Sequence, residues 1–214
     1  MKKYLSEGIG TFFLVAVVIG SGIMAEKLAN GNLAVALLGN TIATGAILFV
    51  IIKMFAPISG AHFNPAVSLV LYLRNELEQN EFFVYVSVQI VGGMLAVFAS
   101  HYIFELEILQ VSENIRGEFP LLFSEIIATS GLILTILFIR KHDAKSVALA
   151  VALFITAGYW FTSSTSFANP AVTIARIFTD TFTGIAPVSV KYFISGQIIG
   201  AVLANCIYNC FEKK

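Results

Sequence analysis

The stretch Ser59-Gly60-Ala61-His62-Phe63-Asn64-Pro65-Ala66-Val67 decides the fold, because its last four residues return as Asn169-Pro170-Ala171-Val172 in the second half of the chain. Asn is among the best helix N-caps and Pro fits the first helical position, so Asn64 and Asn169 are each expected to open a helix. The segments carrying them, residues 61–73 and 167–178, are apolar yet shorter than the ~20 residues a membrane span needs. A single Asn-Pro is often only a turn signal. Two copies at equivalent places in an apolar chain point to a pair of re-entrant half-helices.

The repeat extends outward from these motifs. Ser6-Glu7-x-x-x-Thr11 returns as Ser124-Glu125-x-x-x-Thr129, and Gln89-x-x-Gly92 returns as Gln197-x-x-Gly200. Three markers in the same order, offset by 118, 105 and 108 residues, describe a duplicated unit. Six stretches are long and apolar enough to span: residues 8–25, 33–52, 82–104, 119–139, 146–162 and 192–211. Each unit holds three, and an odd number forces the second unit to enter the membrane inverted. The expectation is an all-α membrane protein, one channel domain over residues 1–214, whose inverted repeats cover about 1–110 and 119–214. Irregular backbone at membrane depth is tolerated only where protein buries it or where it lines a watery cavity, so the two half-helices point at a pore near the midplane.

Composition agrees with a lipid solvent. Hydrophobic residues make up 57% and charged residues 12%, with a mean hydropathy of +0.85, far from the roughly 25% charged of soluble domains. The loops leave no room for a soluble catalytic domain. The sequence shows no metal-spaced His/Cys cluster and no nucleophile–base pair, so neither an enzyme nor a cofactor or metal site is expected. The net charge is zero, which names no nucleic-acid partner. Lys2 and Lys3 before an apolar run resemble a signal peptide, but Glu7 interrupts that run and the same pattern recurs at residue 124. Cys206 and Cys210, one turn apart on the last span, read as buried or lipid-facing thiols.

Orientation follows from Lys and Arg outside the spans. With both termini cytoplasmic, Lys2, Lys3, Lys53, Arg74, Arg140, Lys141, Lys145, Lys213 and Lys214 lie inside, against Lys27, Arg116, Arg176 and Lys191 outside. The nine-to-four excess favours that topology, and the acidic segment 105–118 becomes an outer loop.

Two half-helices entering from opposite faces bring their N-termini together, each carrying roughly half a positive charge, and that field repels cations and protons. Uncharged solutes escape the repulsion and can accept hydrogen bonds from the Asn64 and Asn169 carboxamides. Glu7 and Glu125 are intramembrane carboxylates, functional or paired by default, because burying either one bare is costly.

The residues 59–67, with Asn169-Pro170-Ala171, closely resemble the paired signatures of the aquaporin (major intrinsic protein) family, and the resemblance runs over essentially the whole chain. It implies a homotetramer in the lipid bilayer with one pore per protomer, a cell-membrane location such as a bacterial inner membrane, and passage of water and small neutral solutes. Asn64 and Asn169 would be the central hydrogen-bond donors, set by Pro65, Ala66, Pro170 and Ala171. Glu7 and Glu125 match carboxylates that anchor the re-entrant loops, a proton relay being the alternative. His62 matches an inner-vestibule residue, or else is a hydrogen-bonded structural histidine.

The sequence departs from the family at the filter. Most members carry Arg three residues after the second motif Asn; here Val172 stands there. Counting from the motifs places Thr44, Ala157 and Ser166 as the remaining filter positions, all small and uncharged. A wider constriction without Arg is expected to admit solutes bulkier than water. Val in this place resembles a bacterial subgroup associated with metalloids such as arsenite and methylated arsenic species. Arg176, one turn beyond Val172, either supplies the missing cation to the outer vestibule or pairs with Asp180 at i+4. A proton-coupled secondary transporter is the competing class, since inverted repeats with broken helices build those too.

Overall fold

The computed structural model describes residues 1–212; Lys213 and Lys214, counted above for orientation, lie outside the described residues. Six long helices and two short ones form in chain order: α1 (Lys2–Leu28), α2 (Leu33–Ser59), α3 (Pro65–Leu73), α4 (Gln79–Ile103), α5 (Phe119–His142), α6 (Val147–Phe161), α7 (Pro170–Ala175) and α8 (Val190–Glu212). The six long ones are apolar enough to cross a membrane. Most run past the apolar stretches that announce them, because hydropathy marks only the part in hydrocarbon. At 1.5 Å per residue the 27-residue α1 reaches about 40 Å, more than a core about 30 Å thick.

The bundle is inside out relative to a soluble protein. Phe13, Leu38, Ile42, Leu95, Leu153, Trp160 and Leu203 are exposed on its rim, while Glu7, Gln89, Glu125 and Gln197 are fully buried. In lipid the rim needs no apolar partner, and the interior polar groups must find theirs within the protein. Cys206 and Cys210 belong to this exposed rim.

The packing repeats the sequence symmetry. Helix α1 packs on α2 and α4, as α5 packs on α6 and α8, and α2 meets α6 across the halves. Each half-helix also rests on the last span of the other half, α7 on α4 and α3 on α8. The glycines of the Gln-x-x-Gly markers permit two of these crossings. A Cβ on Gly92 would lie 2.2 Å from the Gly8 carbonyl oxygen, and one on Gly200 would lie 2.7 Å from that of Ile126. Backbone oxygen cannot rotate away. Gly92→Val is therefore expected to prise α1 from α4 and remove most monodisperse protein from detergent size-exclusion profiles; full recovery of well-folded protein would contradict this close crossing.

Candidate functional site

Each short loop before a half-helix is built on strained backbone held by a carboxylate. Gly60, Ala61 and Phe63 have φ of 85°, 53° and 48°; their counterparts 105 residues on, Thr165, Ser166 and Ala168, have 60°, 51° and 47°. Non-glycine residues in the left-handed region cost about 1–2 kcal/mol each, so something must hold them. Glu7 does so in the first loop. Its Oε1 accepts from the Ser59 hydroxyl at 2.7 Å and the His62 amide at 2.9 Å, and its Oε2 from the Phe63 amide at 2.7 Å and Gln89 Nε2 at 2.8 Å. Glu125 accepts from the amides of Phe167 at 3.0 Å and Ala168 at 2.8 Å, and from Gln197 Nε2 at 2.6 Å. The second amide hydrogens of the two glutamines go to Ser68 Oγ and Thr173 Oγ1. A one-to-one repeat offset of 105 pairs Ser68 with Thr173 and Ser59 with Ser164, a signal that motif comparison alone passes over.

The half-helices meet through their caps. Asn64 Oδ1 accepts from the Ala66 amide at 2.8 Å, and Asn169 Oδ1 from the amides of Ala171 at 3.0 Å and Val172 at 3.4 Å. Asn64 Nδ2 then donates to Ala168 O at 2.7 Å, and Asn169 Nδ2 to Phe63 O at 2.8 Å. The two ends thus tie to each other by a reciprocal pair of bonds, with Pro65 and Pro170 at the first helical positions and Ala66 and Ala171 buried behind them. Each carboxamide has two N–H donors. One is used in the tie, and the second remains for whatever occupies the lumen.

That lumen is a cavity of about 410 Å³ lined by α1, α2, α5 and α6 together with both loops. It runs from Lys53, Arg140 and Lys145 at one end, past His62 and both Asn residues, to Tyr159, Phe167 and Arg176. Thr44, Ser166 and Val172 line it as well. His62 contributes a cavity wall and a structural bond at once, its Nδ1 lying 3.0 Å from Ser68 Oγ. At the first end Arg140 grips Glu76 with both guanidinium Nη groups, at 2.7 and 2.6 Å. Partial burial works against the Glu76 carboxylate, but Arg140 and then Arg74 outweigh it and hold its pKa below the ordinary range.

Two sequence expectations need correction. Ala157 does not reach the cavity; it is exposed on the outer face of α6, and Tyr159 takes its place, with its hydroxyl 3.1 Å from Thr44 Oγ1. Counting back from Asn169 crosses the irregular loop 162–168, and an error of two residues turns a helical side chain by roughly 200°. Nor does Arg176 pair with Asp180. The chain tightens into a 3₁₀ turn at Arg176–Phe178 and is extended at Thr179, so the helical i,i+4 relation is lost. Asp180 accepts from the Glu113 amide instead, tying the acidic loop to this end. Arg176 is 4% exposed, sits 3.5 Å above the Phe167 ring, and donates Nε–H to Thr183 O.

An inverted repeat whose broken helices meet at paired Asn donors inside a lined cavity is the architecture of a passive membrane channel. A family model described as Major intrinsic protein matches residues 1–146. Aquaglyceroporin AqpS of Rhizobium meliloti is 46% identical over 95% of this chain and 87% of its own length. A probable TIP-type aquaporin of Medicago truncatula is 29% identical over 97% and 86%. The X-ray structure of the aquaglyceroporin from Plasmodium falciparum shares the fold, with a TM-score of 0.77 over 97% of this chain and 95% of that one, at 22% identity. The chain belongs to the major intrinsic protein family, whose members are channels for water and small solutes rather than enzymes.

Proposed function

We propose that the cavity conducts small uncharged polyol-like solutes and metalloid acids, arsenite or methylated arsenic species among them, through a filter wider than that of a water channel. The observation that carries this reading is Val172, an apolar side chain lining the cavity one turn below the paired Asn caps, where most family members have Arg. Thr44, Ser166 and Val172 leave space; Tyr159 and Arg176 supply the polar groups. Similarity to an aquaglyceroporin at 46% identity supports the solute class. The Lys/Arg distribution supports cytoplasmic termini in a cell membrane of the bacterial inner-membrane kind, and the family resemblance supports a homotetramer.

A proton-coupled transporter needs ionisable groups along the path. Neither Glu7 nor Glu125 lines the cavity, and their oxygens are occupied by loop donors. The test is a stopped-flow panel on proteoliposomes with water, glycerol, urea, arsenite and methylated arsenic. Expected is flux of the larger neutral solutes that stays linear in concentration and is indifferent to a protonophore. Flux restricted to water, or abolished by the protonophore, overturns the proposal.

A further inference from the structure

We infer that the Arg176 end of the cavity is a binding site for tetrahedral oxyanions, with Arg176 as its specificity-determining residue. The cavity wall holds Lys53, Arg140, Lys145 and Arg176, and no carboxylate among the described residues. Arg140 is neutralised by Glu76, whereas no carboxylate lies within ion-pair distance of Arg176 among the described residues. Its Nε is taken by the Thr183 carbonyl; its two Nη groups have no hydrogen-bond partner among the described residues and are not sealed from the cavity. The Glu125 carboxylate acts on Arg176 only from beyond contact, its own oxygens being held by loop donors. An almost fully buried guanidinium without a contact partner is costly, and an anion in the lumen offsets that cost.

A second guanidinium deepens the field. Arg116, from the loop between α4 and α5, lies 5.5 Å from the centroid of the same Phe167 ring, and its Nη2 donates to Ser163 O at 3.1 Å, again with no carboxylate. Two cations therefore lie close to one aromatic ring. The planar fork of Arg176 presents parallel N–H donors, the geometry that matches two oxygens on one central atom and favours the ionised form. Thr44 and Tyr159 hydroxyls line the same cavity for the remaining oxygens. A glycerol-like solute lacks the charge and passes; an oxyanion stays and obstructs it.

This inference rests on the reading of the cavity as the conduction path, and its test separates the two. Methylphosphonate, anionic at neutral pH, and dimethyl sulfone, its neutral isostere, are titrated calorimetrically into the detergent-solubilised protein. Methylphosphonate is expected to bind saturably and dimethyl sulfone at least about tenfold more weakly; Arg176→Gln should abolish methylphosphonate binding, and Arg176→Lys, which keeps charge but not the fork, should weaken it about tenfold. In proteoliposomes, methylphosphonate should slow glycerol flux in step with its binding isotherm. Equal binding of both probes, or undiminished methylphosphonate binding in Arg176→Gln, overturns the inference. If Arg176→Gln misfolds by size-exclusion and circular dichroism, wild-type affinity in Arg176→Lys overturns it instead. Intact, Arg176-dependent binding without any glycerol flux supports this site and contradicts only the conduction reading.

Discussion

Val172→Arg is expected to cut glycerol flux by about tenfold or more, roughly 1.4 kcal/mol added to the permeation barrier, while water flux falls much less. Val172 lies in the first turn of α7, its amide bonded to Asn169 Oδ1, so its side chain borders the lumen just beside the central donors. Arg there adds length and a second guanidinium one turn from Arg176. The two cations repel each other, and the new one must extend into the lumen because Val172 is already buried against its neighbours. A solute the width of water can still pass an extended Arg, accepting hydrogen bonds from it as it sheds hydration. One the width of glycerol cannot. Arrhenius slopes for both solutes in wild-type and Val172→Arg proteoliposomes measure the barrier; an equal fall for both, or no change, removes residue 172 from the constriction.

How much of this site is legible in sequence depends on whether the chemistry is local. Asn64 and Asn169 could be read directly, because an N-cap followed by proline specifies its own geometry within four residues. Ser68 and Thr173 escape a comparison of motifs, although the offset of 105 that relates Asn64 to Asn169 also relates them to each other. Tyr159 could not be placed, since its register depends on how the strained loop 162–168 consumes chain length, and positive φ at Thr165, Ser166 and Ala168 leaves no periodicity to count along. The pairing of Arg176 with Asp180 failed for a related reason: whether an Arg at a helix end meets an acid four residues on depends on the helix continuing, and here it tightens and stops. The acidic segment 105–118 could be placed only as an outer loop, with no role assigned. Its role is conformational, because its backbone bonds to the vestibule chain, Ser112 N to Ile177 O and Ala186 N to Asn114 O, both at 2.8 Å.

Glu7→Gln is expected to lower the thermal midpoint in detergent and glycerol flux together. All four hydrogen bonds to Glu7 arrive from donors, two on each oxygen. A glutamine sets its NH₂ group either against the Phe63 amide and Gln89 Nε2, or against the His62 amide and the Ser59 hydroxyl, which alone of the four can turn and accept. At least one bond to a charged acceptor is lost, at about 1.5–3 kcal/mol, and those that remain lose their charge, so roughly 2–3 kcal/mol is removed. Ala61 and Phe63 then have less holding them at φ of 53° and 48°, and Phe63 O is the carbonyl on which Asn169 Nδ2 rests. Slackening the first loop therefore frees the central donor of the other half, and flux suffers without any change at the lumen wall. Ser59→Ala removes one of the four donors and the acceptor of the Ala61 amide but leaves the His62 and Phe63 amides on Glu7, so the midpoint should fall by the equivalent of about 1.5–3 kcal/mol while flux falls less than in Glu7→Gln. A proton-relay role makes the opposite prediction for Glu7→Gln: an unchanged midpoint, preserved passive flux, and loss only of pH-dependent coupling. Differential scanning fluorimetry alongside flux at two pH values separates the two, because an anchor couples stability to conduction and a relay does not.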